Sequence, residues 1–505
     1  MNKYIVYGLF FFVSGFFASC DKGFEELNTD PTKTTNAYPY QFMANGLIHS
    51  VEYNMSRNRT FNNELMQVTV AIGDGDGRAF RYDFRRSWAD YLWNGHYTQL
   101  TNYKDMYAKA LDEINFNRSY QGISLILQTW TYSILTDTYG DIPYAQSNMA
   151  RDSLILEPVF NTQRDIYLDM FAKLDSANTL LSGGDAIDAV HDPVYAGNVS
   201  QWRKFCNSLY LRLLLRVSHK TDVQDMVIPK IQEILTSASK YPVFASNDDS
   251  AILRWTGEGA YISPYMTTRA QDFRATAICS FFIDFLRDTN DPRINIPEYG
   301  TSGINRWGIA PVSGNFVGVP SGYAAGSGDY VRMSYFYSYD QNSGVNSLQS
   351  EPMTGMIMNY AELQFIRAEA VLRGWINGSV EDYFYSGAES SIKQWLPAWD
   401  VPIRTHLAAS DVQWNDAEGF EEKLARIHQQ KYYALFLVDQ QQWFEYRRTG
   451  YPVLPKGNGL ANNGEMPARL YYPVYIQSSN PTNYKLAISQ QGPDEINTKV
   501  WWQKP

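Results

Sequence analysis

Five stretches of this chain repeat apolar side chains at helical spacing, and that period restricts the fold more than any other feature. Ile123, Ile126, Leu127, Trp130 and Ile134 form one stripe, which Gly140 ends. Ile166, Met170, Leu174, Ala177 and Leu181 form a second, opened by Thr162 with Asp165 three residues on. Trp202, Phe205, Leu209, Leu213 and Val217 form a third, with Ser200 expected as its cap. Ala361, Phe365, Ala368 and Leu372 make a fourth; Leu424, Ile427, Ala434 and Val438 make a fifth. Such spacing lines one face of a helix. The stretches near 41–55 and 89–112 also read as helices. A one-sided stripe is stable only against another helix, and short turns between successive stripes pair them in the manner of tetratricopeptide units. The predicted fold is mainly α: a tetratricopeptide-like helical-repeat scaffold.

Two segments break the helical period. Residues 287–358 and 449–505 are rich in Gly, Pro, Asn, Tyr and Ser. Loops this long in a compact protein usually carry function. They are read as a loop-rich ligand-binding face on one scaffold, not as separate domains. With 44% hydrophobic residues the chain can bury enough surface to fold, which excludes disorder. A formal charge of −10 argues against nucleic acid, whose phosphates need a basic face. The 13 Trp, 37 Tyr and 26 Phe exceed what a core requires, so some rings are expected on the surface.

The N-terminus reads as an address. Lys3 precedes a nearly unbroken apolar run from Tyr4 to Phe17, too short to span a bilayer but suited to a secretory signal. It ends in Phe17-Ala18-Ser19-Cys20, similar to a bacterial lipobox, although Phe17 stands where an aliphatic residue is usual. The expected plan is a lipoprotein signal peptide at 1–19, a lipid anchor at Cys20 with a tether to residue 40, and one helical domain over 41–505. Acyl chains such as palmitate on Cys20 would hold the protein to a membrane, since more than one chain gives stable anchoring. Cys206 and Cys279 make neither a disulfide framework nor a zinc motif.

Several segments, taken in order, resemble the SusD/RagB family of surface nutrient-binding lipoproteins of Bacteroidetes. They are Leu135-Thr136-Asp137-Thr138-Tyr139-Gly140-Asp141-Ile142-Pro143-Tyr144, Trp202 to Arg212, Asn290-Asp291-Pro292-Arg293, Tyr360 to Ala370, Gln430 to Phe436 and Trp443 to Pro452. The resemblance implies a SusD-like helical fold, an outer-membrane lipid anchor exposed at the cell surface, and no catalysis. It also implies a partner, a SusC-like TonB-dependent transporter, and an oligosaccharide or polysaccharide cargo. Peptide is the second ligand class, as for RagB-like members. A structural helical-repeat adaptor and a glycoside hydrolase are the readings of other classes. The shared segments lie mostly on helices and read as packing; Glu369 and Arg373 are i,i+4 partners, and Arg447-Arg448 are expected to pair with carboxylates.

Enzyme signatures are missing. The six histidines form no HExxH pair, and neither a Gly-x-Ser-x-Gly elbow nor a Walker loop is present. Gly73-Asp74-Gly75-Asp76-Gly77 suggests a calcium loop, but Arg78 and Ala79 stand where such a loop needs a ligand and a glycine. No cofactor is expected, and the sequence leaves open a calcium ion bracing a loop. A glycosidase needs two carboxylates across a sugar bond; Asp137 and Asp141 come close in sequence, but they sit in the segment shared with the family, where capping and turn formation account for them.

Sugars present an apolar face and a hydroxyl rim, so a site needs exposed rings beside Asp, Asn, Gln or Arg. Two segments offer both. The ligand-binding residues expected are Asp76, Arg81 and Trp88 from residues 73–88, and Trp307, Tyr323 and Tyr335 from the glycine-rich residues 300–344. Trp307 is expected to be a surface ring.

Overall fold

The computed structural model describes residues 37–504, apart from 74, 296–304, 328–330 and 340–345. Cys20 and the leader before it lie outside the described residues. The chain divides into two units, Met1–Tyr38 and Pro39–Pro505. No helix among the described residues is long and apolar enough to cross a membrane.

The main helices are α1 (Pro39–Arg57), α2 (Ala89–Leu111), α3 (Arg118–Tyr139), α4 (Gln163–Leu181), α5 (Val199–Val217), α6 (Gln224–Thr236), α7 (Ser280–Asp288), α8 (Tyr360–Leu372), α9 (Val380–Trp395), α10 (Phe420–Ala434), α11 (Gln441–Thr449) and α12 (Pro481–Gln491). Successive helices from α1 to α6 pack on their neighbours, as do α8, α9 and α10, while α5 joins the two groups by packing on α8. This is the paired-helix logic that the stripes predict. Ile123, Ile126, Leu127, Trp130 and Ile134 are fully buried on α3, and the stripes of α4 and α5 are equally enclosed.

The helix ends follow local chemistry. The Thr162 hydroxyl accepts the Asp165 N–H at 3.2 Å and starts α4. Gly140 takes φ +85° after α3, a left-handed turn that side chains rarely adopt. The cap of α5 differs from expectation: Asn198, not Ser200, accepts the Gln201 N–H, and Ser200 lies inside the helix. Asn and Ser are both good caps, so composition alone does not choose between them. Val438 falls beyond the end of α10 at Ala434.

Among the described residues, four two-stranded antiparallel ladders run between the helices: Thr69–Val70 with Ala277–Ile278, Ile142–Pro143 with Phe160–Asn161, Ala251–Leu253 with Gly355–Met358, and Ile309–Ala310 with Tyr335–Phe336. These stitch the irregular segments to the scaffold.

The shared sequence segments supply buried ion pairs. Arg212 on α5 grips Glu362 on α8 with two bonds, at 2.7 and 2.6 Å. Arg448 on α11 reaches Glu369 on α8 at 2.8 and 2.6 Å, and Lys431 on α10 reaches Glu445 at 2.8 Å. Arg373 pairs with Glu369 as its i,i+4 spacing suggests. Arg447 behaves otherwise: it donates to the carbonyls of Ala468 and Asp137 and stacks on Trp443. Removing one partner of such a pair leaves an uncompensated charge, at a cost of about 3–5 kcal/mol. These side chains therefore hold the scaffold together.

Candidate functional site

The C-terminal turn of α1 and the first turns of α2 face one another across a polar groove. Its two adjoining hollows, of about 300 and 430 Å³, share Arg57 and Tyr91. Tyr53 lies edge-on to Tyr91, their ring centroids 5.2 Å apart. That approach depends on Gly95, because a Cβ there would sit 2.6 Å from the Tyr53 ring. The Tyr91 ring is 38% exposed although large and apolar.

The Arg57 guanidinium lies 4.8 Å from the Tyr91 ring centre and donates to the Trp88 carbonyl at 3.2 Å. Its Nε is buried with no hydrogen-bond partner. Burial pushes its pKa below the usual arginine value, against the pull of Tyr139, Tyr91 and Asp90. Burial raises the Asp90 carboxyl, and Arg57 partly offsets this. One Asp90 oxygen is likewise buried without a partner. Among the described residues Arg57 and Asp90 form no ion pair, although both line the same hollow.

The groove extends both ways. On one side Arg59 donates to the Asp272 carbonyl at 2.8 Å, and the Tyr265 hydroxyl donates to the Met55 carbonyl at 3.2 Å. On the other, the Tyr475 hydroxyl donates to the Asn94 side-chain oxygen at 2.6 Å. Tyr475 is 41% exposed and lines a third, more apolar hollow of about 270 Å³ with Leu156 and Pro158. Rings, a guanidinium, a carboxyl and an amide thus line the two adjoining hollows, which suits a ligand with apolar faces and hydroxyl edges. Asp90 is the single carboxylate among the residues lining the Arg57 and Tyr91 hollows. The two opposed acids that glycoside cleavage needs are not gathered there.

The residues expected from sequence lie elsewhere. Trp307 is fully buried: it stacks on Phe282 with centroids 5.9 Å apart, meets Phe436 at 5.0 Å, and lies 4.7 Å from the Arg293 guanidinium. The surface reading of Trp307 is therefore corrected. Asn305 turns the chain inward, since its side chain bonds both the N–H and the carbonyl of Ile309, and Gly308 takes φ +64°. Arg81 and Tyr323 are brought together but are also buried. Arg81 Nε donates to the Tyr323 carbonyl at 2.8 Å, its guanidinium lies 4.8 Å from the Tyr323 ring, and the Tyr323 hydroxyl donates to the Ala71 carbonyl. They pin two loops together, and no ring face is left for a ligand. Trp88 is half-buried against Phe61 and Phe84 and reaches the groove only through its carbonyl. Asp76 is exposed, with its carbonyl accepting from Arg85. Tyr335 is half-buried beneath Arg332, 4.1 Å away. None of the six side chains lines the groove.

Tyr53, Arg57, Tyr91, Asp90 and Asn94 were missed because they sit on helices, whose rings read as core. A signal was present. Tyr91, Asn94 and Thr98 repeat at helical spacing on the side of α2 away from Leu92, Trp93 and Leu100, so a polar stripe carries an unexplained ring.

Glu369, His428 and Glu445 lie close enough to hold a metal ion. Their charge is already balanced. Arg448 binds both carboxylates and Lys431 binds Glu445. Burial alone would raise Glu369, but Arg448 and His428 hold it well below the carboxylate range. A divalent cation would add charge where three cations, Arg373, Arg448 and Lys431, already sit, so the cluster fits a structural knot.

A family model described as "Starch-binding associating with outer membrane" matches residues 31–473. A solved chitin-binding protein is 25% identical, with TM-score 0.74, 93% of this chain and 100% of that one covered. A SusD homologue from Bacteroides fragilis is 25% identical at TM-score 0.75, with the same coverage. A chitin-binding SusD homologue from Flavobacterium johnsoniae shares the fold at 21% identity and TM-score 0.76, covering 92% of this chain and 98% of its own. No curated protein matches the sequence.

Proposed function

The chain belongs to the SusD-like family, and on that premise we propose that it is a lipid-anchored protein of the cell surface which captures saccharides in the Arg57–Tyr91 groove. It then passes them to a SusC-like TonB-dependent transporter. Binding, not cleavage, is the proposed act. The observation that carries the reading is the exposed Tyr91 flanked by Arg57 and Asp90 on the lining of one hollow. A pyranose laid on Tyr91 would cover the ring with its apolar face and offer its hydroxyl rim to the Arg57 guanidinium and the Asp90 carboxyl, both of which line the hollow. Because the hollows are open and continue beyond both sides of Tyr91, the ligand is an oligomer or a polymer segment. The chitin-binding relative makes N-acetylated glucans the first ligand to try.

The test is calorimetric titration with chitooligosaccharides, maltooligosaccharides and peptide pools. Tyr91→Ala is expected to weaken saccharide binding by about 1.5–3 kcal/mol, the scale of uncovering one large side chain. The melting temperature should hardly move, because an exposed ring leaves no cavity. Saccharide affinity equal to the wild type in Tyr91→Ala, or tight binding confined to peptides, would sink the reading.

A further inference from the structure

We propose that the cleft between α2, α3 and α4 is a second binding site, one that takes a ligand through a carboxylate. It has a volume of about 470 Å³ and lies apart from the groove, sharing none of its lining residues. That volume is within the range of small-molecule sites.

The charge in the cleft is unbalanced. Lys104 of α2 and Lys173 of α4 both line the cleft. Lys173 is compensated: it binds Asp169, and it donates to the Tyr144 hydroxyl at 2.7 Å while that hydroxyl donates to Asp169. Lys104 is not. Its ammonium donates to the Ser147 carbonyl at 2.6 Å and to the Ser147 hydroxyl at 3.0 Å, and among the described residues it makes no ion pair. An ammonium has three N–H donors, so one is left over. Asp165, the remaining acid of the lining, has a side chain 61% exposed at the rim and lies nearest Arg164.

The surroundings are arranged for an anion with a flat or apolar body. Tyr132 lies beneath Lys104 at 5.8 Å and meets Tyr144 edge-on, centroids 4.4 Å apart. Asn161 uses its oxygen to accept the Ala145 N–H, and its amide nitrogen has no partner among the described residues. Burial, with Lys173 nearby, brings the Lys104 amine down to about 8. A partly desolvated cation without a counter-ion is stabilised by an incoming carboxylate. A uronic acid and the C-terminus of a short peptide both supply that group.

The site is tested on the full chain in detergent. Galacturonate and glycylglycine are titrated beside galactose and glycinamide, neutral at the corresponding position or lacking the carboxylate. Binding is expected for at least one acid and not for its carboxylate-free counterpart. Lys104→Gln should weaken it at least tenfold, while Tyr91→Ala leaves it unchanged. Which acid binds identifies the source of the carboxylate. A second readout needs no variant: acylation of Lys104 at pH 8, followed by mass spectrometry, should slow when the acid is present. If neither acid binds better than its counterpart, or neither protects Lys104, the proposal is wrong. An affinity unchanged in folded Lys104→Gln would equally overturn it.

Discussion

The Asp439 carboxyl is enclosed beside Trp130, whose indole N–H donates to it at 2.9 Å. Burial pushes its pKa up to about 7 from an ordinary 3.8, against the hydrogen bond from Trp130 and the pull of Arg212. A carboxyl whose folded pKa is raised binds its proton more tightly in the native state. Its contribution to stability is full below about pH 4 and is lost as pH rises through about 7. The shift corresponds to something on the order of 4 kcal/mol. Glu64, also buried and pushed up to about 7, acts in the same direction. Asp439→Asn removes one of the two. Its melting temperature relative to the wild type should therefore improve between pH 5 and pH 8; a difference that stays constant over that range would refute the assignment. Trp307 gives a second test at this scale. Trp307→Ala should cost about 3–5 kcal/mol and lower the melting temperature, as loss of a buried ring does. Saccharide affinity of the folded fraction should be unchanged. The sequence around Trp307 could not disclose this, because a ring between Arg306 and Gly308 has no periodic neighbours. Burial there comes from a turn that Asn305 closes, and from Phe282, Trp395 and Phe436, all distant in the chain.

The helices themselves were legible. Stripes such as Ile123 to Ile134 need only a period, and local signals such as the cap Thr162 and the stop Gly140 fix helix ends. The groove was not legible for the converse reason: it is built by the meeting of α1 and α2, and no motif records which face of one helix opposes which face of another. Gly95 is where that meeting can be probed. A Cβ at this position would overlap the Tyr53 ring, at 2.6 Å from Cγ. Helix propensity favours alanine over glycine by about 1 kcal/mol, whereas overpacking costs about 1–3 kcal/mol. The two effects oppose, so Gly95→Ala should fold with a modest change in melting temperature. The displaced Tyr53 ring should disturb Tyr91, however, and saccharide affinity should fall severalfold. Unaltered affinity would mean that Tyr53 takes no part in shaping the groove.

At the level of the whole molecule, the sequence reading of a helical scaffold agrees with the matched structures, while the expected loop face did not yield the groove. Long loops drew attention because they lack a period, yet Arg81 and Tyr323 show their rings and cations spent on holding loop to loop. The proposed groove lies wholly within Pro39–Pro505. If residues 1–36 serve only export and attachment, a protein beginning at residue 37 should melt at the same temperature as the full chain and bind the same saccharides with equal affinity, since Pro39–Pro505 is a compact unit. The two forms should differ in location alone. Full-length protein made in a bacterial host should partition into detergent and with the outer membrane, and Cys20→Ala should be released into the aqueous phase while staying folded. Several acyl chains give anchoring that one cannot, so the release should be nearly complete. Retention of Cys20→Ala in the membrane, in cells lacking the transporter, would show that something other than the lipid holds the protein there.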